Sequence, residues 1–501
     1  MSAASHRPPE YRPTQIAVRP GAGIRSLRKP ARWVDLVTTK NVVRSAGVAG
    51  QPEPLGYRAM NRSIASMLLA TFVLRVSTAI TGVMLVFLVD EMTRHRGDGP
   101  GVISLLTGGF YTTELTGAIV FGVLADRYGR KVIMLLGPVF GGIAVFMTGL
   151  ATHVPVLFVT RLLEGSSTAA SVPSTLGFIA AETSEDEALR GRVVSLFELV
   201  SLGGMLAVGP ALGGFLWDAF GRTAFFLNCF CYLIALGLYA YGVSENRRDR
   251  PTENATPVVP AASEPEAPKA GRPAGSVARY WRIVTNRKVL LFAPTWLAIN
   301  AILGLWAVQA PLLIKGNVID SSQFLMRGVS ATSIGLGEAV LAVVFGSGLL
   351  FWGLVYARFR RTTLMLFGVG AFVVMTVDVL AINHLGGTST ALLLGLGAVA
   401  LAALFAMSGA TPAALGMLAD VSEGFEEDRS AIMGLYSVFL GLGQVIGAVV
   451  GGVAASWKGI DGLVVATVVL LVVGILTLAN LRAHERVILA TPTGSGGPAS
   501  I

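Results

Sequence analysis

Two opposite charges one helical turn apart, Arg161 and Glu164, lie inside an otherwise apolar run of the sequence. A charge within a membrane span is costly unless it faces protein or water. Residues three apart share one face of a helix, so these two side chains are natural partners. The spacing leaves two interpretations open: an ion pair that only orients the helix, or a charged site that takes part in the chemistry of the protein.

A second pair of opposite charges, Arg75 and Glu114, is predicted at matching depths in the first two apolar runs. At about 1.5 Å per residue, both lie about 15–17 Å from the same end of their helices, near the middle of a bilayer. Adjacent antiparallel helices would bring the two together as a structural pair. If Arg75 is free instead, its positive charge favours an anionic ligand. If Glu114 titrates, it carries an exchangeable proton.

The residues that bind metals or act as nucleophiles are not arranged for such chemistry. Four of the five histidines lie in predicted tails or loops, the fifth, His384, lies at the end of a predicted span, and none has the spacing of metal ligands. Cys229 and Cys231 lie two apart in one apolar run, where they cannot join separate elements. No phosphate-binding loop of the form GxxxxGK[ST] occurs. We therefore expect no metal, no cofactor, no ATP-driven step and no enzymatic activity.

Long apolar helices are the elements that must position these charges. Of the 501 residues, 53% are hydrophobic and only 14% charged, against about 25% charged in soluble proteins. The apolar residues fall in runs of 20 to 30 residues. Runs of this length cross a hydrocarbon layer of about 30 Å as helices. This composition excludes a soluble enzyme, a nucleic-acid-binding domain and a disulfide-linked secreted domain. The twelve predicted spans are 64–89, 102–124, 132–152, 155–181, 193–217, 223–243, 289–314, 333–357, 363–385, 390–419, 430–456 and 460–482.

The positive charges predict the orientation of these spans. Of the 39 Lys and Arg residues, 31 fall in the N-terminal tail and in every second loop after it. The positive-inside rule therefore predicts a multi-pass protein of the cell (inner or plasma) membrane with both termini in the cytoplasm. We divide the chain into a basic, mostly disordered tail (1–62), a first bundle (63–243), a flexible linker (244–288), a second bundle (289–485) and a C-terminal tail (486–501).

The sequence also contains an internal repeat. Three pairs of segments recur in one order at offsets of 231 to 239 residues: 122–131 with 353–362, 173–180 with 412–419, and 209–214 with 447–452. The second copy of the first segment lacks the acid, since Asp126 becomes Ala357. The repeat predicts an all-α polytopic membrane protein whose twelve transmembrane helices form two pseudo-symmetric six-helix bundles, arranged in parallel orientation.

Three motifs of the first half resemble those of the major facilitator superfamily. GVLADRYGRK at 122–131 is similar to the signature loop of that family, VTRLLEGSSTAA at 159–170 to its Arg-and-Gly motif, and GPALGG at 209–214 to its antiporter motif. The resemblance covers about residues 62–485. It implies two six-helix bundles around a central cavity, with alternating access by rocking of the two halves.

The resemblance also implies roles for particular residues. Arg161 would couple transport to protons by lowering the proton affinity of a nearby carboxyl group, which makes Arg161, Glu164, Arg75 and Glu114 the predicted charge network. A conformational latch at the cytoplasmic ends of the helices would consist of Gly122, Asp126, Arg127, Gly129, Arg130 and Lys131. The antiporter-like motif, which predicts close helix packing and a kink, consists of Gly209, Pro210, Gly213 and Gly214.

The family places the central cavity between spans one, four, seven and ten. The candidate substrate contacts there mix aromatic and Met side chains with a few hydrogen-bonding groups, and they are Phe72, Thr78, Ser167, Trp296, Asn300, Trp306, Gln309, Met407 and Thr411. This mixture suits an amphipathic organic molecule better than a sugar. The first span has no acid before Asp90, which counts against a preference for cations.

These features together predict a monomeric, proton-driven exporter of small amphipathic compounds that works by alternating access. Its partners would be the lipid bilayer, the substrate and protons, with no nucleic acid. The alternative is a proton-coupled importer of a small organic anion or metabolite that uses Arg75. A membrane enzyme or a sensor is disfavoured, because the sequence has neither a catalytic constellation nor a recognisable soluble domain.

Overall fold

The computed structural model describes most of the two predicted bundles. The described residues are 62–183, 186–244, 285–316, 322–355, 358–422 and 429–484, and within them the side chains at 126, 187–188, 419–422 and 429–437 are left undescribed. The predicted N-terminal tail, most of the linker and the C-terminal tail therefore lie outside the described residues. The domain boundaries stay predictions.

Residues 62–244, here called the first half, are almost entirely helical. The helices are α1 (Arg62–Thr93), α2 (Gly99–Tyr128), α3 (Arg130–Leu150), α4 (Val154–Glu182), α5 (Glu187–Leu202), α6 (Gly209–Phe220) and α7 (Ala224–Gly242). A π-helical segment, Gly203–Val208, joins α5 to α6 in one helical stretch. Such wider turns inside helices often occur at functional sites.

The described residues of 285–484, here called the second half, are helical in the same way. The helices are α8 (Arg287–Ile314), α9 (Ala331–Val355), α10 (Arg361–Leu385), α11 (Thr390–Met407), α12 (Ala410–Ser422) and α13 (Arg429–Ala483). The predicted span 390–419 is thus divided between α11 and α12. The long α13 contains two predicted spans and changes direction at Lys458 and Gly459, whose backbone angles are not helical.

Each predicted span coincides with helical residues, and no strand occurs in the described part of the chain. Eight helical stretches are long and apolar enough to cross a membrane, and two of these, 189–242 and 438–483, contain two predicted spans each. The all-α polytopic fold is confirmed. The number of twelve membrane crossings stays a prediction.

Two tight turns show the internal repeat in the backbone. Gly221 follows α6 with φ 53° and ψ −134°, and Gly459 bends α13 with φ 57° and ψ −132°. A side chain is strained at these positive φ values, so glycine fits both positions. The two turns lie 238 residues apart, which is the offset of the repeated sequence 209–214 and 447–452.

The direction of the helices defines two faces of the molecule. We call the face where α1 begins at Arg62 and α7 ends at Gly242 the linker face, and the face where α1 ends at Thr93 and α6 ends at Phe220 the far face. The positive charges predict that the linker face is cytoplasmic. At the far face, Val308, Leu312, Ala331 and Ile334 of the second half join the apolar core of the first half. The two halves are therefore packed together at the far face.

Candidate functional site

The predicted pair of Arg161 and Glu164 forms in α4. Both side chains are buried, with residue exposures of 7% and 1%, and Arg161 Nη1 donates a hydrogen bond to Glu164 Oε2. The Arg161 guanidinium also lies 4.8 Å from the centre of the Phe110 ring on α2. A cation above an aromatic face is stabilised by the ring quadrupole, so α2 and Glu164 together hold the buried charge.

Each member of this pair also has a buried polar atom without a partner. Arg161 Nε and Glu164 Oε1 make no hydrogen bond in the described part of the protein. Buried polar atoms are almost always hydrogen-bonded, and exceptions often mark functional positions. The pair therefore has unused capacity to donate one hydrogen bond and to accept one more.

Two glycines near the pair allow α2 and α4 to pack closely together. A Cβ atom on Gly165 would lie 2.4 Å from the Phe110 carbonyl oxygen, and one on Gly117 would lie 2.9 Å from the Ala169 Cβ. Real Cβ contacts are never this short, so side chains at these positions would push α4 away from α2. The glycines thus allow the distance at which Arg161 reaches Phe110.

Arg75 and Glu114 do not form the ion pair that was one of the two predicted possibilities. The ion pairs that the structure shows among the described residues join other side chains. The Arg75 guanidinium nonetheless attracts Glu114 electrostatically, and it attracts Glu198 of α5 in the same way. Arg75 therefore lies within electrostatic range of both carboxyl groups.

The surroundings of Arg75 combine a small cavity with the π-helical segment. A cavity of about 10 Å³ is lined by Arg75 with Thr71, Ser171, Thr175 and Tyr239, among others. This is about the space that one water molecule needs. A Cβ on Gly204 would lie 3.2 Å from the Arg75 Cβ, so the π-helical segment packs directly on this part of α1.

Two tyrosines near the charges were not singled out from the sequence. Tyr111 lies within electrostatic range of Glu114, Arg161 and Arg75, which are members of both predicted pairs. Tyr232 lies within range of Glu164 and is 1% exposed. Only Tyr111 could have been placed near a charge from the sequence, because it precedes Glu114 by three residues and so shares its helix face.

The residues of the predicted latch lie at the linker face, where they contact other helices of the first half. Lys131 Nζ donates a 2.7 Å hydrogen bond to the Ala240 carbonyl near the end of α7, and Arg130 packs on Gly177 of α4. Gly129 joins α2 to α3 with a φ of 101°. Gly122 lies near Pro173, and Arg127 lies above the Tyr128 ring. The side chain of Asp126 lies outside the described residues.

The antiporter-like motif packs on both halves of the molecule. Side chains at Gly209 and Gly213 would collide with α1, whereas a Cβ on Gly214 would lie 2.1 Å from the Ala331 carbonyl oxygen of α9. The Pro210 carbonyl oxygen has the same close contact with Gly335 of α9. The α5–α6 stretch is thereby fixed between its own half and the other half.

The corresponding glycines of α13 repeat this arrangement. Gly447 and Gly451 pack on α8 of their own half, and a Cβ on Gly452 would lie 2.1 Å from Ser104 Oγ of α2 in the other half. Each glycine lies 238 residues after its counterpart in 209–214. The close contacts of the two halves therefore follow the sequence repeat.

Most of the candidate substrate-contacting residues with polar side chains are hydrogen-bonded to the protein itself. The contacts are Ser167 Oγ to the Gly137 carbonyl, Thr78 Oγ1 to the Leu74 carbonyl, Asn300 Nδ2 to the Trp296 carbonyl and Trp306 Nε1 to Thr467 Oγ1. Trp296 stacks on Phe292, and Met407 belongs to the apolar core of the second half. Phe72 and Thr411 are half-buried. As substrate contacts, all of these residues remain predictions.

Gln309 lies at the junction of the two halves. It is fully buried, and its Nε2 donates hydrogen bonds of 2.9 Å to Ser104 Oγ and 3.3 Å to the Pro100 carbonyl oxygen. Ser104 in turn donates to the Ala448 carbonyl oxygen. Gln309 therefore helps to close the far face in this structure.

These features define a polytopic helical protein with two related halves and buried charges, and the comparisons with known proteins agree. The family model of the Major Facilitator Superfamily matches residues 67–326 and 321–499. The chain therefore belongs to the Major Facilitator Superfamily and is a multi-pass membrane transporter.

Curated relatives share part of the sequence. The chain is 30% identical to multidrug resistance protein 1 of Bacillus subtilis (strain 168) over 141 residues, 28% of this chain and 35% of the relative. It is 32% identical to methyl viologen resistance protein SmvA of Salmonella typhimurium (strain LT2) over 145 residues, 28% of this chain and 29% of the relative. The chain thus spans about a third of the length of these relatives.

Solved structures share the fold over most of the chain. The nucleoside transporter NupG matches with a TM-score of 0.59 at 12% identity, over 85% of this chain and 100% of the other. A bacterial homologue of the human lysosomal transporter Spinster matches with a TM-score of 0.60 at 15% identity, over 87% and 100%. At these identities the similarity shows the fold alone.

Proposed function

We propose that this transporter is a proton-driven exporter of small amphipathic organic compounds. The Arg161–Glu164 pair carries this proposal, because it places a carboxyl group with a free acceptor atom inside the transport domain. A proton on Glu164 weakens its hold on Arg161, and loss of the proton restores it. The pair therefore has the two charge states that coupling to a proton gradient requires, with no further energy source.

The direction of transport is supported by the relatives and by the motif around Pro210. Both curated relatives described above carry names that refer to resistance, one to multiple drugs and one to methyl viologen. Export from the cytoplasm lowers the internal concentration of a toxic compound. The glycines of the antiporter-like motif pack on both halves, which is the position of an element that moves with one half against the other.

The importer of a small organic anion stays the second candidate, and Arg75 is the observation that favours it. Its positive charge lines a cavity, and Glu114 attracts it without forming a salt bridge. The cavity has room for about one water molecule in this structure, so an organic anion would be held by the guanidinium and neighbouring hydroxyl groups only in a conformation in which the cavity is wider. Such a transporter would carry its substrate and the proton in the same direction.

A proton-flux assay separates the two functions. The full-length protein is reconstituted in liposomes that contain a pH-sensitive dye, and cationic, neutral and anionic amphipathic compounds are added outside. We expect the lumen to become alkaline, since entry of the compound drives protons out. Liposomes without protein control for passive entry of the compounds. Acidification of the lumen overturns the exporter, and no response to any compound contradicts proton coupling.

A further inference from the structure

Asp218, at the far-face end of α6, binds the beginning of α9 in the other half. Asp218 Oδ1 accepts a 3.2 Å hydrogen bond from the Ala331 amide, and Oδ2 accepts a 2.7 Å hydrogen bond from the Thr332 amide. The first amides of a helix have no partner within the helix and carry partial positive charge. A carboxylate that accepts two of them forms a charge-assisted contact, about twice as strong as a neutral hydrogen bond.

The remaining amides at this helix end are satisfied within the second half. Ser330 Oγ accepts a 3.1 Å hydrogen bond from the Ser333 amide, and the Ser330 carbonyl oxygen accepts one from the Ile334 amide. The same helix end therefore has one cap from its own half and one from the opposite half. Only the cap made by Asp218 must break if the two halves separate.

Asp218 reaches α9 because the two helices are packed without side chains between them. Gly214 and Gly335 each leave room for a carbonyl oxygen of the other helix, which a Cβ would approach to 2.1 Å. Lys315, at the end of α8, also attracts Asp218 electrostatically. The carboxylate is thus held at the junction by hydrogen bonds to the start of α9 and by the charge of Lys315.

The repeat does not supply a second carboxylate of this kind. Ser456 stands 238 residues after Asp218, and the corresponding junction between α2 and α13 contains the neutral contacts of Ser104 with Gln309 and the Ala448 carbonyl oxygen. One of the two junctions at the far face is therefore charged and the other is neutral. The charged contact is charge-assisted but faces solvent, because Asp218 is exposed, whereas Gln309 of the neutral junction is fully buried.

We propose that Asp218 helps to hold the far face closed, by capping α9 across the two halves, and that its release accompanies opening of the cavity to the far face. This role rests on alternating access as the mode of transport in the proposed function. It does not depend on proton coupling or on the direction of transport. Asp218 thus sets the proportion of molecules that are closed at the far face.

Distances between the halves test this role directly. Spin labels are placed at Arg96 and Thr388, which are exposed far-face residues of the first and second half, after Cys229 and Cys231 have been replaced. Double electron–electron resonance then gives the ratio of open to closed far faces in nanodiscs. We expect Asp218→Ala to raise this ratio about tenfold, the factor that corresponds to about 1.4 kcal/mol. We expect Asp218→Asn, which keeps an acceptor but not the charge, to give a smaller increase.

Ser330→Ala is the matched control, because it removes a cap from the same helix end without affecting the contact between the halves. We expect it to leave the distance distribution as in the wild type. An unchanged distribution for both Asp218 variants, or an equal shift for Ser330→Ala, overturns the proposal. The measurement requires neither substrate nor protons. A symport result in liposomes therefore leaves it standing, and its failure leaves the exporter standing.

Discussion

At the scale of single residues, the pair in α4 is the sharpest target. Glu164→Gln keeps the size of the side chain and its ability to accept from Arg161, but it removes the negative charge. We expect this variant to lower substrate-driven proton flux by about tenfold or more. Exchange of labelled for unlabelled substrate should continue, because this exchange moves no proton. Dye-loaded liposomes and radiolabelled counterflow measure the two quantities on the same preparation.

Asp90→Asn is the matched control for that variant. Asp90 is also a buried carboxylate, 2% exposed, and it also pairs with an arginine of its own helix, at 2.7 Å from Arg94. It lies at the far-face end of α1, on a different helix from Glu164. We expect Asp90→Asn to keep its proton flux. An equal loss of flux in both variants would mean that Glu164 has only a structural role.

The sequence placed Arg161 and Glu164 inside a span, where both are buried, but it did not show what most of the charges in the spans contact. Arg161 and Glu164 are one turn apart in the same helix, so local geometry was enough to pair them. Arg75 and Glu114 lie in different helices, and similar depth does not fix the rotation of either helix. For the same reason the sequence did not predict that Glu198 lies within electrostatic range of Arg75, because this depends on how α5 packs on α1. Ser167 and Asn300 show that a polar residue in a cavity-lining span still has a face that only packing decides.

At the scale of elements, the glycines between the halves determine how closely the helices pack. Gly214→Ala places a methyl group 2.1 Å from the Ala331 carbonyl oxygen, so α6 and α9 must move apart. Overpacking of this kind costs about 1–3 kcal/mol, and we expect a lower apparent Tm from tryptophan fluorescence in detergent. Gly237→Ala in α7 meets no atom within 4 Å and should not lower the Tm. Equal values for the two variants would contradict the close packing.

Helix positions were predictable because the hydropathy of the sequence records them directly. The predicted span 289–314 ends at the last residue of α8, and 390–419 was found as one run although Ser408 and Gly409 divide it. The π-helical segment 203–208 was not predicted, because the apolar pattern continues through it unchanged. Its hydrogen bonds span five residues where those of an α-helix span four, and hydropathy does not depend on that spacing.

At the scale of the whole molecule, orientation is the prediction that follows from charge. Green fluorescent protein fused after Ile501 should fluoresce, and alkaline phosphatase inserted after Gly387 in a far-face turn should be active in an intact bacterium. Each reporter works on only one side of the membrane, so exchange of the two reporters between the sites is the control. Activity of the phosphatase at the C-terminus would reverse the orientation that the distribution of Lys and Arg predicts.

The turns at Gly221 and Gly459 bear on how the protein enters the bilayer during its synthesis. Only Gly221–Thr223 separates α6 from α7, and Lys458 and Gly459 alone interrupt α13. With the far face on the outer side, almost no polar chain has to pass through the hydrocarbon layer for these helices to insert. Each pair can therefore enter as a preformed hairpin whose backbone amides are already bonded. Late insertion of the last hairpin then completes the contact of α13 with α8.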